Sequence, residues 1–498
     1  MKTEQDHFRT IILSILIGYF ILFYIQAPIR SHDGPHLGNT KKDLYKELYG
    51  CLNEFRFKNV DFGIKIETVD GKQTLFQHQP GKLFIPASVT KIITSGISLL
   101  KFGPGFRFET QLIIDGQIKS RILKGNLVMK GKGDPALMLG HLDLAVNSIK
   151  EKIDIIEGDL IYDISFLDSE LPRFPPNARH LYAPPCALTV NYNWIVLGLQ
   201  TGPPVKLWTI PKTSYARLQY RVDVSDSHSP GRPTMIYKKR SWGDQYHISG
   251  KITRWDRRYK VLRLCVTRPG LFTATLFREC CERAGIILKG NIKKGSSPPN
   301  SRILETIRTK PLKDIVSTLN QESNNVIAEL INKNLGAFFD SIPGTREKGL
   351  NIIRTYLQEK LNFKKHDFCI IDASGLSLKN RLSASQLTQA LNHFYLRMGE
   401  DFYQTLAWQG NHPHAMNPIP PSGIRMAVKS GTLPTTGVNT VAGYIFMDKS
   451  DVVLSFAIMA NRRGSGARAY SGTFTIPVMS AIIKALNKNH LARISHRE

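Results

Sequence analysis

Two hydrophobic rhythms divide this chain. Toward both ends, apolar residues recur every three to four positions. In "FIPASVTKIITSGISLL" they fall at Ile92, Ile93, Ile97, Leu99 and Leu100 after Pro86. The same spacing in "KPLKDIVSTLNQESNNVIAELINKNLGAFF", in "GTREKGLNIIRTYLQEKL" and from about Thr475 to Leu486 predicts amphipathic helices. "DFGIKIETVDGKQTLFQHQP" alternates around Asp70-Gly71, a hairpin signal. "TVAGYIFMDKSDVVLSFAIMAN" predicts two antiparallel strands joined by the Asp448–Asp451 turn. Between these ends, from about residue 105 to 299, the chain is turn-rich and alternates in period two, as in "GPGFRFETQLII", "GNLVMKGKGDPAL" and "IEGDLIYDISF". Strands and helices therefore segregate instead of alternating as βαβ units. This predicts an α+β unit assembled from residues 44–104 and 300–490, interrupted by a β-rich insert at 105–299 that can divide into two subdomains.

The N-terminus has its own pattern. "IILSILIGYFILFYI", residues 11 to 25, is an uncharged apolar run behind Lys2 and Arg9. Its length suits a signal-peptide core and is short for a full membrane span. Residues 1–28 are thus expected to be either a cleaved signal or a retained anchor, with 11–27 the segment available for membrane attachment. Polar, breaker-rich residues 29–43 read as a linker. Both versions place the protein in the periplasm or another extracytoplasmic part of the cell envelope.

Composition adds one departure from the ordinary. Over 498 residues, 42% hydrophobic and 21% charged content is globular, but the net charge is +27. Anionic surroundings such as nucleic acid, phospholipid or acidic envelope polymers suit that balance. The excess peaks between Lys212 and Leu264, where 13 Lys and Arg face 4 Asp. Trp242, Trp255 and Tyr259 interleave with these cations, yet no nucleic-acid-binding motif accompanies them, and the stretch reads as a solvated β-surface. Six cysteines include no C-x-x-C pair, and disulfide connectivity is not readable from their spacing. No H-E-x-x-H occurs, and His412-Pro-His414 reads as a loop. No metal or cofactor is implied.

Three short patterns carry candidate chemistry. Ser88 and Lys91 lie three apart at a predicted helix start and share one face. Ser323, Asn324 and Asn325 stand directly before another helix, and Lys429, Ser430, Gly431 and Thr432 precede the terminal hairpin. Each alone has a plain structural reading: a polar first turn, a capping Ser-Asn pair, an exposed strand lysine. In the order S-x-x-K, S-x-N, K-[ST]-G they match the penicillin-binding proteins and β-lactamases.

The chain resembles that superfamily, and within it the D-alanyl-D-alanine carboxypeptidases of the penicillin-binding protein 4 type (peptidase family S13). The finer likeness rests on the large insert between Ser88 and Ser323 and on "PASVTK", "GNLVMKGKGDPAL", "YAPPCALTVNYN", "SNNVIAE", "DASGLSLKNRL" and "KSGTL", which cover roughly residues 45 to 485. The resemblance implies a penicillin-binding/β-lactamase-like fold, an antiparallel sheet with helices, and serine-type carboxypeptidase activity, with DD-endopeptidase activity as an addition. Peptidoglycan stem peptides would be substrates, β-lactams covalent inhibitors, and nucleic acid no partner. Ser88 would be the nucleophile and Lys91 its base, with a proton affinity lowered by burial and by Lys429. Ser323 would relay a proton and Asn325 would hold Lys91 and the substrate amide. Lys429 and Ser430 would attract the terminal carboxylate, Gly431 lies between them and Thr432, and the N–H groups of Ser88 and Thr432 would form the oxyanion hole.

Some positions depart from the family pattern. Leu378 follows "GLS" where arginine is frequent, with only Lys379 beside it, and Pro434 stands just past the "KSGTL" strand. Asp163 in "YDISF" matches an insert acid that meets the amino group of diaminopimelate in relatives, and equally suits a strand-end turn. Two rival readings are a serine β-lactamase, against which the insert and the lack of a separate deacylating Glu argue, and a non-catalytic envelope or nucleic-acid-binding protein. The intact Ser88, Lys91, Ser323, Asn325 and Lys429 set argues against the second.

Overall fold

A computed structural model describes residues 36–54, 57–169, 183–200, 205–226, 234–253, 261–299, 301–412, 415, 417–433, 436–448, 450–463 and 474–495. The segment expected to be a signal or anchor lies outside them. Among the described residues no helix is long and apolar enough to cross a membrane.

The first helix, α1 (His36–Leu52), begins inside the stretch expected to be a linker. Gly38 and the polar residues around it obscure the helical spacing of Leu44 and Leu48, both fully buried. Tyr45 packs edge-on against Phe76, with ring centroids 5.0 Å apart. Strands β1 (Val60–Thr68) and β2 (Thr74–His78) form the expected hairpin, Glu67 opposite Thr74. After a 3-10 turn at Ala87–Val89 comes α2 (Thr90–Phe102).

The insert follows. It contains β3 (Glu109–Lys119), β4 (Ile122–Gly131), α3 (Leu139–Lys150), β5 (Leu160–Asp163), β6 (Trp194–Gln200), β7 (Lys206–Ile210), β8 (Ala216–Ser225), β9 (Thr234–Arg240), β10 (Gly243–Thr253), β11 (Val261–Cys265) and α4 (Pro269–Arg283). Then β12 (Arg302–Arg308) pairs antiparallel with β3, so the insert's sheet ends at 308 and not at 299. The stretch around Ser296 is the loop into that edge strand. Around this sheet, α3 and α4 close one continuous core that includes Leu127, Leu188, Ile195, Tyr246 and Phe277, so the insert's sheets share their apolar interior.

The chain then returns through α5 (Leu312–Gln321), α6 (Asn325–Phe339), α7 (Arg346–Leu361) and α8 (Ala384–Met398). It ends with β13 (Ile424–Leu433), β14 (Val438–Met447), β15 (Val453–Arg462) and α9 (Thr475–Ser495), the last running beyond Leu486. Sheet order is Ala407–Trp408, β13, β14, β15, β1, β2, all antiparallel, so the two chain ends interleave in one sheet. One face of the sheet packs on α2 and α5–α8. The other packs on α1 and α9, where Glu47 pairs with Lys484 and Lys488. This is the antiparallel α+β architecture that the patterning predicts.

Insert and helical layer meet along α6. Phe166, Leu167, Ala183 and Ala187 pack on Val326, Leu330 and Ala337. Asn334 donates to the Gly133 carbonyl at 2.8 Å. Lys333, buried at 1% exposure, binds the Asp168 carboxylate and donates to its carbonyl at 3.2 Å. All six cysteines are described and none is bridged; Cys280 and Cys281 thiols are pushed up to about 12, first by burial.

Breaking the Lys333–Asp168 pair by Asp168→Asn leaves a buried ammonium without its counter-charge. It should lower stability by about 3 kcal/mol in urea unfolding, with most of the loss recovered in the Asp168→Asn/Lys333→Met double variant. A double variant no more stable than the single would show that the pair's charge is not what matters.

Candidate active site

Ser88 sits in the 3-10 turn, and Lys91 is the second residue of α2. Ala87, just before the serine, has φ +49°, a left-handed conformation that costs a non-glycine residue free energy and persists only when neighbours impose it. The neighbours are identifiable. Thr90 Oγ1 donates to the Ala87 carbonyl at 2.8 Å, and Thr440 Oγ1 on β14 donates to the Pro86 carbonyl at 2.8 Å. The Ile85 N–H donates to Asn461 Oδ1 on β15 at 2.8 Å. Sheet and helix together hold the serine at a forced turn.

Lys91 is wholly buried at 0% exposure. Its Nζ donates to Ser88 Oγ at 3.0 Å, to Asn325 Oδ1 at 2.7 Å and to the Ser374 carbonyl at 2.6 Å. Three donors thus meet three acceptors, the full complement of an ammonium. Burial nevertheless lowers its pKa to about 7, against the opposing pull of Asp372 and Glu329. Burial is the main cause of the lowering at Lys91, and the repulsion between the two buried lysines acts on both of them. Lys429, 2% exposed, is held well below its ordinary value by burial and then by Lys91. Its Nζ donates to Ser323 Oγ at 3.1 Å and to the Ser430 carbonyl at 2.7 Å.

Ser323 also has a left-handed backbone, φ +56°. It occupies the break between α5 and α6. The next residue, Asn324, caps α6 by accepting from the Val326 and Ile327 N–H groups at 3.0 and 3.2 Å. Capping therefore falls to Asn324, and Asn325 at the first helical position is turned toward Lys91. That division of labour is why the triplet is both a cap and a site.

β13 brings Lys429, Ser430, Gly431 and Thr432 past the same turn. A Cβ on Gly431 would lie 2.7 Å from the Ser88 nitrogen and 2.5 Å from Thr440 Oγ1. Only glycine lets the strand approach the Ser88 N–H this closely. Thr432 Oγ1 accepts from Asn439 Nδ2 at 3.2 Å.

Asp163 is placed differently. It is buried at the end of β5, where Oδ1 accepts from the Ser165 N–H at 2.9 Å and Oδ2 from the Ser297 N–H and Oγ, both at 2.9 Å. Burial raises its pKa, but these bonds outweigh burial and lower it. These bonds tie the carboxylate to the insert's own loops. Leu378 is exposed, as is Lys379, while Pro434 lies outside the described residues.

Sequence reasoning missed three contributors. Ser374 supplies a carbonyl to Lys91. Glu329, one turn after Asn325 on α6, accepts from the Ser374 N–H at 3.1 Å and so fixes that carbonyl. Burial, and then Asp372, raise the pKa of Glu329. Asp372 accepts from the Gly375 and Ser377 N–H groups at 2.7 and 2.6 Å and shapes the loop. The i, i+4 spacing of Asn325 and Glu329 was the available signal. Among the described residues, no group of His, Cys, Asp and Glu is arranged to hold a metal ion.

The cluster contains a hydroxyl 3.0 Å from an amine that titrates near neutrality, and a second lysine–serine pair facing it. Such an arrangement can take a proton from the hydroxyl and return one elsewhere. An antiparallel sheet layered with helices, carrying serine and lysine at one forced turn, defines the class: a penicillin-binding-type α+β hydrolase fold. The chain belongs to the D-Ala-D-Ala carboxypeptidase 3 (S13) family, which it matches over residues 45–473.

It is 24% identical over 348 residues to the D-alanyl-D-alanine carboxypeptidase DacB of Haemophilus influenzae, covering 68% of this chain and 71% of the relative. It is also 24% identical over 475 residues to a D-alanyl-D-alanine carboxypeptidase from an Actinomadura species, covering 89% and 84%. Among solved structures, penicillin binding protein 4 from Haemophilus influenzae has a TM-score of 0.73 at 21% identity, covering 90% of this chain and 98% of that one. The same protein is also solved in complex with a β-lactam, at a TM-score of 0.69.

The lowered pKa of Lys91 makes stability depend on pH. Below about pH 7 the lysine is charged both folded and unfolded, so the cost of burying it is carried in full. Between about 7 and 10.5 the unfolded chain binds the extra proton, and stability rises with pH. The shift corresponds to about 5 kcal/mol across that window. Urea unfolding at pH 7 to 10 should therefore show a rise for the native chain and a distinctly shallower one for Lys91→Met. Equal slopes would contradict the depressed pKa.

Proposed function

We propose that the protein removes the terminal D-alanine from D-Ala-D-Ala stem peptides of peptidoglycan through an acyl-enzyme on Ser88. The observation that carries this reading is the Lys91 amine 3.0 Å from Ser88 Oγ, buried, and near neutrality in proton affinity.

In its neutral form Lys91 accepts the Ser88 proton as Oγ attacks the carbonyl of the penultimate D-alanine. The tetrahedral oxygen receives the backbone N–H groups of Ser88 and Thr432, a reading supported by the close approach of Gly431 to the Ser88 N–H. Collapse breaks the peptide bond, and the proton held by Lys91 passes through Ser323, which Lys429 supports, to the leaving amine, so that Lys91 is neutral again. The terminal carboxylate lies against Lys429 and Ser430. Once D-alanine has left, water attacks the ester as the Lys91–Ser323 network takes its proton, and return of that proton to Ser88 Oγ breaks the ester bond and regenerates the serine. Asn325 orients Lys91 and the substrate amide throughout. The site acts outside the cytoplasm, where its polymer is, after export directed by residues 1–28, with 11–27 as the segment that would anchor it if retained.

β-Lactams mimic the scissile amide, so penicillin should add covalently to Ser88. Intact-mass measurement should show one adduct on the native protein and none on Ser88→Ala. Lys91→Ala should slow acylation by about 10²- to 10⁴-fold, as loss of a general base does. Acylation of Ser88→Ala would remove the assignment.

The rate of acylation should rise about tenfold per pH unit up to about pH 7 and level off above it, because only neutral Lys91 accepts the proton. With D-Ala-D-Ala peptides the protein should turn over continuously. With penicillin, whose opened ring stays tethered and obstructs water, it should give a stoichiometric burst and slow release. Rapid sustained penicillin turnover without D-alanine release from peptides would indicate a β-lactamase.

A further inference from the structure

The basic stretch of the insert folds into a three-stranded sheet in the order β8–β10–β9. Residues paired in register share a face, and neighbours along a strand alternate between faces. One face carries the rows Leu218–Tyr246–Tyr237 and Tyr220–Ile248–Met235. It turns Tyr246 and Ile248 into the insert core. The other carries Arg217–Gln245–Lys238, Gln219–His247–Ile236, Arg221–Ser249–Thr234 and Asp223–Lys251, with Arg240 at its end.

Alternation therefore divides the run Lys238-Lys239-Arg240: Lys238 and Arg240 face outward with Arg217, Arg221 and Lys251, while Lys239 lies on the opposite side. All five outward cations are exposed. Arg217 stacks over Trp242 at 4.2 Å and Arg240 donates to Gln245 at 2.9 Å, both uncharged partners. Among the described residues no carboxylate pairs with any of the five. Elsewhere surface cations are commonly compensated, as in Arg308–Glu109, Arg283–Asp143 and Arg463–Asp61. Among the described residues of these rows, Asp223 is the one carboxylate.

We infer that the outer face of the β8–β10–β9 sheet docks the polymeric form of the substrate, carboxylate-bearing peptidoglycan. The inference rests on the proposed peptidase reading for its occupant and on charge complementarity for its place. Strands about 4.8 Å apart and outward positions about 6.6 Å apart along each strand spread the cations over a flat area. That spread suits an extended chain of carboxylates better than one small anion. A lipid surface fits less well, because Ile236 is the single large apolar side chain in these rows and Met235, Tyr237 and Tyr220 lie on the other face. Single-stranded nucleic acid would need a series of aromatic stacking platforms, whereas the rows hold only the His247 ring and Trp242 beside them is stacked against Arg217. Docking at exposed charges holds the polymer near the enzyme without entering the chemistry.

The test uses full-length protein and the exposed triple variant Arg221→Gln/Lys238→Gln/Lys251→Gln. Both should hydrolyse a soluble D-Ala-D-Ala peptide equally. In co-sedimentation with purified sacculi at low salt, the variant should bind about tenfold more weakly. Binding of the native protein should fall as salt is raised and be lost on sacculi whose carboxyls have been amidated. Equal sedimentation of variant and native protein would overturn the inference. So would stronger, variant-sensitive binding to anionic lipid vesicles or to a single-stranded oligonucleotide. Failure of the native protein to cleave the soluble peptide would instead remove the peptidase reading, while the sedimentation comparison still reports on the face.

Discussion

Burial of the Lys91 ammonium is the constraint on which the other parts depend. A charged amine taken out of water is costly unless each of its N–H groups finds a partner. Here the partners come from three separate places: Ser88 from its own turn, Asn325 from α6, and the Ser374 carbonyl from the loop before α8. Those three elements must meet at one atom for the charged form to be tolerated. Even then burial wins by enough to bring the pKa to about 7. The same desolvation that strains the fold makes the amine available as a base.

The surroundings are organised around holding that meeting point. Glu329 and Asp372 do not touch Lys91, yet one fixes the Ser374 N–H and the other folds the loop that presents its carbonyl. Their negative charge also opposes the lowering at Lys91, which would otherwise go further. Strand β13 closes the site from the opposite side, as near as a missing Cβ at Gly431 allows. The insert braces α6 through Leu330, Lys333 and Asn334, so a large segment between the catalytic motifs supports the helix that carries Asn325.

Much of this was legible in sequence. The helix periods, the two hairpins and the segregation of strand from helix specified an α+β fold, because side-chain burial repeats at 3.6 or 2 residues whatever lies across the core. Ser88, Lys91, Ser323, Asn325 and Lys429, which the fold brings together, were readable as candidates because the proposed chemistry requires particular residue types at fixed local spacing. Less legible were α1, whose apolar face is interrupted by polar residues, and β12, a short edge strand after a polar loop. Asp163 looked the same in sequence whether it met a ligand or capped a strand.

Local spacing therefore determined which elements form and which side chains are candidates for the chemistry, since each depends on neighbours a few residues away. Tertiary structure alone decided the rest. Lys91 lies 234 positions from Asn325 and 283 from Ser374 in the chain, and no pattern within a segment encodes that convergence. The displacement of a lysine's pKa to about 7 is a property of the environment that folding builds around it. So is the sorting of consecutive cations onto opposite faces of a sheet, because which face meets water depends on what packs beneath the other.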